Sequence, residues 1–120
     1  MGQAAKQTAL VVEDEPVQRS LVSTLLQECG MNVIECESGE AAALVLDKIG
    51  GCLSLMFTDV NLAGIMNGVE LAGIARKRFP NLKVIVTSGD VTPILPPDMM
   101  FMPKPWRALD VLREAEKAAA

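Results

Sequence analysis

Three short apolar runs in this chain each end in charge, and the charges are complementary. Leu10-Val11-Val12 leads into Glu13-Asp14, Leu53 to Thr58 into Asp59, and Met99 to Met102 into Pro103-Lys104-Pro105. Runs of this length and composition, separated by stretches of helical period, read as strands of a parallel sheet joined by helices. In such a sheet the carboxyl ends of neighbouring strands face one crevice, where open α/β folds place their ligands. Three acids and one ammonium in that crevice suit a hard cation and a phosphoryl group.

The intervening stretches support the sheet. Pro16 belongs in a helical first turn, with Asp14 or Glu15 able to cap, and Val17, Leu21, Val22, Leu25 and Leu26 keep a helical period until Gly30. Met31 to Cys36 reads as a more polar strand, and Ser38 caps a helix that ends before Gly50-Gly51. A loop from Val60 to Asn67 precedes a helix over Gly68 to Phe79, whose Arg76, Lys77 and Arg78 suit a helix C-terminus. Val84 to Thr87 is the fourth strand, Met99 to Met102 a short fifth, and Trp106 to about Lys117 a last helix with Leu109, Leu112 and Ala115 inward. Residues 1–7 read as a flexible start, 8–117 as the folded unit and 118–120 as a frayed end.

Composition removes other classes of answer. With 120 residues, half of them apolar, the chain suits one packed core. A net charge of -4 argues against nucleic-acid binding, which needs clustered Lys and Arg. No run is long enough to span a bilayer, and Met1 to Gln7 lacks the apolar middle of a signal peptide, so no membrane partner and a cytoplasmic location are expected. Cys29, Cys36 and Cys52 match no zinc spacing and read as free, core-facing thiols. The chain has no histidine, which excludes His-dependent triads and any phosphohistidine of its own. Any phosphate must come from another molecule.

Each charged position also has a plain structural explanation: acids start helices, and an aspartate after a strand opens a loop. Their combination is what points to chemistry. A Gly-rich turn after the first strand would bind phosphate directly, whereas acids there repel it unless a metal stands between. Mg²⁺ takes oxygen ligands, so Asp14 is expected to hold it directly and Glu13 directly or through water. Asp59 can act as a carboxylate nucleophile, with Lys104 as a point charge and Thr87, beside Ser88, as a hydroxyl donor.

An acid pair after strand one, Asp after strand three, Thr-Ser after strand four and Lys-Pro after strand five together resemble the receiver domain of two-component response regulators. The resemblance covers about Thr8 to Lys117. It implies a flavodoxin-like, doubly wound α/β fold whose five-stranded parallel sheet has the order 2-1-3-4-5. It also implies that Asp59 accepts phosphate from a histidine kinase or histidine phosphotransfer protein. By the same resemblance Glu13, Asp14, Asp59 and the backbone carbonyl of Asn61 hold Mg²⁺ (or Mn²⁺). Thr87 then contacts the phosphoryl group, Lys104 pairs with it, Phe101 is the switching aromatic, and Lys104-Pro105 is a cis peptide.

Two departures from the family pattern stand out. Ala63 replaces a usual proline, and Gly68 comes one residue late. Asp90 to Asp98 carries three prolines in nine residues, so the fourth helix should be shortened or missing, with at most one turn around Pro93 to Leu95. The face left there should present Ile94, Leu95, Phe101 and Trp106, and phosphorylation should shift the order of Ser88 to Asp98. A pseudo-receiver that binds partners without phosphate keeps the fold but loses part of the acid, Asp, Thr and Lys set, which is complete here. A small Asp-nucleophile phosphatase would carry Asp-x-Asp after its first strand. With no output segment after the last helix, the expected signal is a change of contacts with an unknown output protein. The domain would act alone or as part of a longer regulator or hybrid kinase.

Overall fold

The structure, a computed structural model, describes residues 6–119. Residues 1–5 of the expected flexible start and Ala120 lie outside them. In chain order the elements are β1 (Thr8–Val12), α1 (Pro16–Glu28), β2 (Asn32–Cys36), α2 (Gly39–Ile49), β3 (Leu53–Asp59), α3 (Gly68–Arg78), β4 (Lys83–Ser88), β5 (Met100–Pro103) and α4 (Ala108–Ala119). All pairings are parallel and the sheet order is β2-β1-β3-β4-β5. This is the expected five-stranded, flavodoxin-like α/β fold, with four α-helices among the described residues.

Period-two alternation divides the core into two layers. Leu10, Val12, Met56, Val84 and Val86 face α2 and α3, packing on Leu46, Leu71 and Ala75. Ala9, Val11, Leu55, Phe57 and Ile85 face α1 and α4, packing on Leu26, Val111 and Ala115. Gly30 closes α1 with φ of 82°, a conformation glycine adopts without strain, and its amide donates to the Gln27 carbonyl at 2.9 Å.

Several sequence expectations change. In α1 only Val22, Leu25 and Leu26 of the apolar set are buried, while Val17 and Leu21 face solvent. In α4 the buried positions are Val111, Glu114 and Ala115, and Leu112 packs half-buried on the same layer as expected, but Leu109 is exposed. Glu114 is tolerated inside because Lys83 reaches it at 2.9 Å and Lys117 at 3.2 Å. The helix continues through Ala119, and Gln7 is tied in by the amide of Asn32 at 2.8 Å. Cys52 is exposed, not core-facing.

Among the described residues no helix forms between β4 and β5, and Pro93 to Leu95 make no helical turn; a single turn lies later, where the Met99 amide donates to the Pro96 carbonyl at 3.1 Å. Pro93, Pro96 and Pro97 supply no backbone donors there. The expected single apolar face is also absent. Leu95 and Phe101 pack against the α2/α3 layer, Trp106 packs on the α1/α4 layer against Phe57, and only Ile94 projects fully into solvent.

Candidate functional site

The register brings the charged strand ends together. Val12 pairs with Thr58, Asp59 with Thr87, and Thr87 with Met102, so Glu13, Asp59, Thr87 and Lys104 emerge at one edge. Backbone bonds fix two of them: Glu13 donates to the Cys36 carbonyl at 3.0 Å and Lys104 to the Ser88 carbonyl at 2.9 Å. The Lys104–Pro105 peptide is cis.

Helix capping divides the three acids that follow β1. Glu15 is the N-cap, accepting from the amides of Val17 at 3.2 Å and Gln18 at 2.8 Å. Asp14 is thereby left without a capping role. Carboxylate oxygens of Glu13, Asp14 and Asp59 lie within 4.8 Å of one another, with Glu13 and Asp59 buried and Asp14 exposed. Burial, opposed by the Glu15 amide and reinforced by the Asp59 charge, pushes the Glu13 carboxyl up to about 7. Three acids on all-oxygen chemistry, offset by a single lysine, are the donor set of a hard divalent cation.

Lys104 stands at the centre. Its ammonium has three donors and three acceptors: Asp59 Oδ2 at 2.8 Å, Glu13 Oε1 at 3.2 Å and Gln18 Oε1 at 2.6 Å. Burial disfavours its charge, but Asp59 and Glu13 outweigh that and hold its pKa above the ordinary lysine value. The Thr87 hydroxyl, across the register from Asp59, is buried with no hydrogen-bond partner. An orphaned buried donor is costly, and an acceptor arriving beside Asp59 would relieve it. Asn61 donates its amide to Asp59 Oδ1 at 3.3 Å. Phe101 sits half-buried on β5.

The loop between β3 and α3 shapes one wall. Gly64, with φ of 89°, turns the chain so that the amides of Ile65 and Met66 reach the Glu40 carboxylate at 2.9 and 3.1 Å. Gly68 starts α3 hard against the end of β3; a Cβ there would lie 1.8 Å from the Asp59 carbonyl oxygen. On the opposite side a groove of about 450 Å³, lined by Gln18, Leu21, Gly89, Lys104, Pro105 and Trp106, opens beside the Lys104 ammonium.

Sequence reasoning missed three residues. Gln18, which holds Lys104, carries no signal beyond its place in the first turn of α1. Glu40 sits in the first turn of α2, where an acid is common and gives no sign of a distant partner. Asp90, bound by Asn61 and Ser88, was read only as the start of a proline-rich stretch.

Sheet order and acid crevice define a receiver-type fold, and sequence comparison agrees. The profile of the response regulator receiver domain matches residues 9–98, and the chain belongs to that family of two-component signalling domains. It is 30% identical over 114 residues to the response regulator receiver protein CpdR of Brucella abortus, covering 90% of this chain and 92% of the relative. It is 34% identical over 105 residues to sensor kinase CckA of the same organism, covering 82% of this chain and 11% of the kinase. Three longer curated relatives that it matches are spanned over 11–23% of their length. A response regulator receiver protein from Sinorhizobium medicae WSM419 shares the fold with a TM-score of 0.85 at 22% identity, covering 95% of this chain and 94% of that one. Among the described residues no helix is long and apolar enough to cross a membrane.

Proposed function

We propose that this chain is a phosphoacceptor receiver: Asp59 takes a phosphoryl group from the phosphohistidine of a histidine kinase or histidine phosphotransfer protein, and the change alters protein contacts. The observation that carries the reading is Lys104, bonded at once to Asp59 and Glu13, beside an unpartnered Thr87 hydroxyl. The unit proposed to do this spans residues 8–117.

When bound, Mg²⁺ (or Mn²⁺), held by Glu13, Asp14, Asp59 and the Asn61 carbonyl, supplies neutralising charge for the phosphoryl oxygens. The chain's own groups do the rest. A carboxylate oxygen of Asp59 attacks phosphorus; the P–O bond forms as the donor's P–N bond breaks, and that electron pair returns to the imidazole nitrogen. Lys104 follows the charge onto the new phosphoryl group, a stronger acceptor than the carboxylate it leaves. Thr87 donates its free hydroxyl, and Phe101 moves with the strand ends. The donor approaches over α1, where exposed Leu21 lines the groove beside Lys104 and exposed Val17 lies one helical turn before it. The domain catalyses only its own phosphorylation and dephosphorylation.

Intact mass after incubation with acetyl phosphate and Mg²⁺ tests the reading. The wild type gains one phosphoryl group and Asp59→Asn, still folded, gains none. Unchanged labelling of that variant, or full labelling of the wild type in excess chelator, overturns the assignment.

A further inference from the structure

We infer that Asp90 is a positioning residue of this site: in the resting state it holds the Asn61 amide and Ser88 hydroxyl, and it loses both when Asp59 carries phosphate. The inference rests on the reading of Asp59 as phosphoacceptor and adds a residue and a route by which phosphorylation reaches the β4–β5 segment.

The bonds join two loops that flank Asp59. Asn61 Nδ2 donates to both Asp90 carboxylate oxygens, at 3.0 and 3.2 Å, and the Ser88 hydroxyl donates to Oδ1 at 2.8 Å. The Ser88 oxygen in turn accepts from the amides of Asp90 at 3.4 Å and Val91 at 3.3 Å, closing a tight turn. Both donors neighbour the reacting carboxylate in sequence or register. Asn61 follows Asp59 by two residues and bonds it through its backbone amide, while Ser88 follows Thr87, the register partner of Asp59. Asp90 itself is exposed, and its bonds to Ser88 and then Asn61 hold its carboxyl below the ordinary aspartate value.

Beyond Val91 side-chain bonds hold the segment at one further point. Among the described residues, no hydrogen bond joins residues 92–95 to the rest of the protein; Pro96 accepts only from the Met99 amide, at 3.1 Å, and Leu95 packs on the α2/α3 layer. The next anchor is Arg76, which reaches the Asp98 carboxylate at 3.1 Å and its carbonyl at 3.4 Å. Asp90 is thus one of two ends of a span that has few polar ties between them.

Phosphate on Asp59 acts on this end in two ways. It adds up to about two negative charges near an ionised carboxylate, which repels Asp90, and it supplies stronger acceptors for the two donors Asp90 now uses. Asp90 is exposed and moves into water without a burial penalty. Its charge is essential to this exchange, since a neutral acceptor would lose donors but would not be expelled.

Hydrogen exchange of residues 88–92, with and without beryllofluoride and Mg²⁺ as the phosphoryl mimic, is the test, with calorimetry for affinity and intact mass after acetyl phosphate in parallel. Wild type should exchange faster in this segment when the mimic is bound. Asp90→Ala should exchange fast already and show no further increase, and because coupling is reciprocal it should bind the mimic on the order of fivefold more tightly. Asp90→Asn should stay protected and open less than wild type. If wild type binds the mimic and gains phosphate while residues 88–92 exchange alike in both states, or if Asp90→Ala binds no more tightly, the role of Asp90 is wrong and the phosphoacceptor reading stands. If wild type neither binds the mimic nor gains phosphate, both fall.

Discussion

Two connections leave the same edge of the sheet on either side of Asp59, and they are held in opposite ways. Residues 60–67, after β3, are gripped in the middle and at the end: Glu40 takes the amides of Ile65 and Met66, and Asn67 and Glu70 form a reciprocal cap at 2.9 and 3.1 Å. Residues 89–99, after β4, have side-chain hydrogen bonds and ion pairs only near their ends, at Asp90 and at the Arg76–Asp98 pair, with Leu95 packed on the core between them. Backbone donors explain the contrast. The first connection has no proline, so a single carboxylate on α2 can order it; three prolines in the second leave little for any neighbour to hold. A well-tied wall and a loosely tied span therefore flank Asp59. The wall would suit the metal ligand proposed at the Asn61 carbonyl, and the span would suit the proposed readout.

The sharpest break of this contrast is at Gly68. A methyl group would meet the Asp59 carbonyl oxygen at 1.8 Å, so Gly68→Ala must displace either α3 or the end of β3. A loss of at least about 3 kcal/mol in urea denaturation is expected. A variant as stable as wild type would mean that the wall is not rigid.

A smaller effect separates the connections by pH. The amide of Ile65, then that of Met66, hold the Glu40 carboxyl below the ordinary glutamate value. A depressed folded pKa contributes order that is complete above the unfolded value of about 4.3 and is lost as pH falls through the folded one. On acidification below that unfolded value the NMR shifts of the Ile65 and Met66 amides should therefore titrate together. Residues 92–95 should not follow, and Glu40→Gln should abolish the transition. Parallel titration of both connections would erase the distinction.

The smallest effect is at the two exposed isoleucines. Ile65 and Ile94 are 96% and 97% exposed, one on each connection. Ile65→Ser and Ile94→Ser should each change stability by less than about 0.5 kcal/mol. A large loss for Ile65 alone would show that side-chain packing, not the bonds to Glu40, orders the wall.

The sequence was most legible where a local pattern suffices. Leu10-Val11-Val12 and Leu53 to Thr58 could be read as buried strands from continuous apolar character, and Asp90 to Asp98 as helix-free from its prolines, though the single turn allowed around Pro93 to Leu95 does not form. Helix faces were less legible. Val17, Leu21 and Leu109 fit a helical period yet face solvent, because period alone does not fix which way a helix is rotated over the sheet. The apolar face expected from Ile94, Leu95, Phe101 and Trp106 failed similarly, since alternate sides of β5 and the turn after it lead to different layers.

What the sequence by itself determined is the order of strands and helices and the kind of charge at each strand end, since both follow from residues adjacent in the chain. Tertiary structure decided the particular bonds made within the crevice. Lys104 finds Asp59 across 45 positions, Gln18 across 86 and Glu13 across 91, and Asp90 finds Asn61 across 29. Partners so far apart in the chain leave no periodic trace in it; they become neighbours only when parallel register aligns the strand ends and helix rotation selects the side chains that face them.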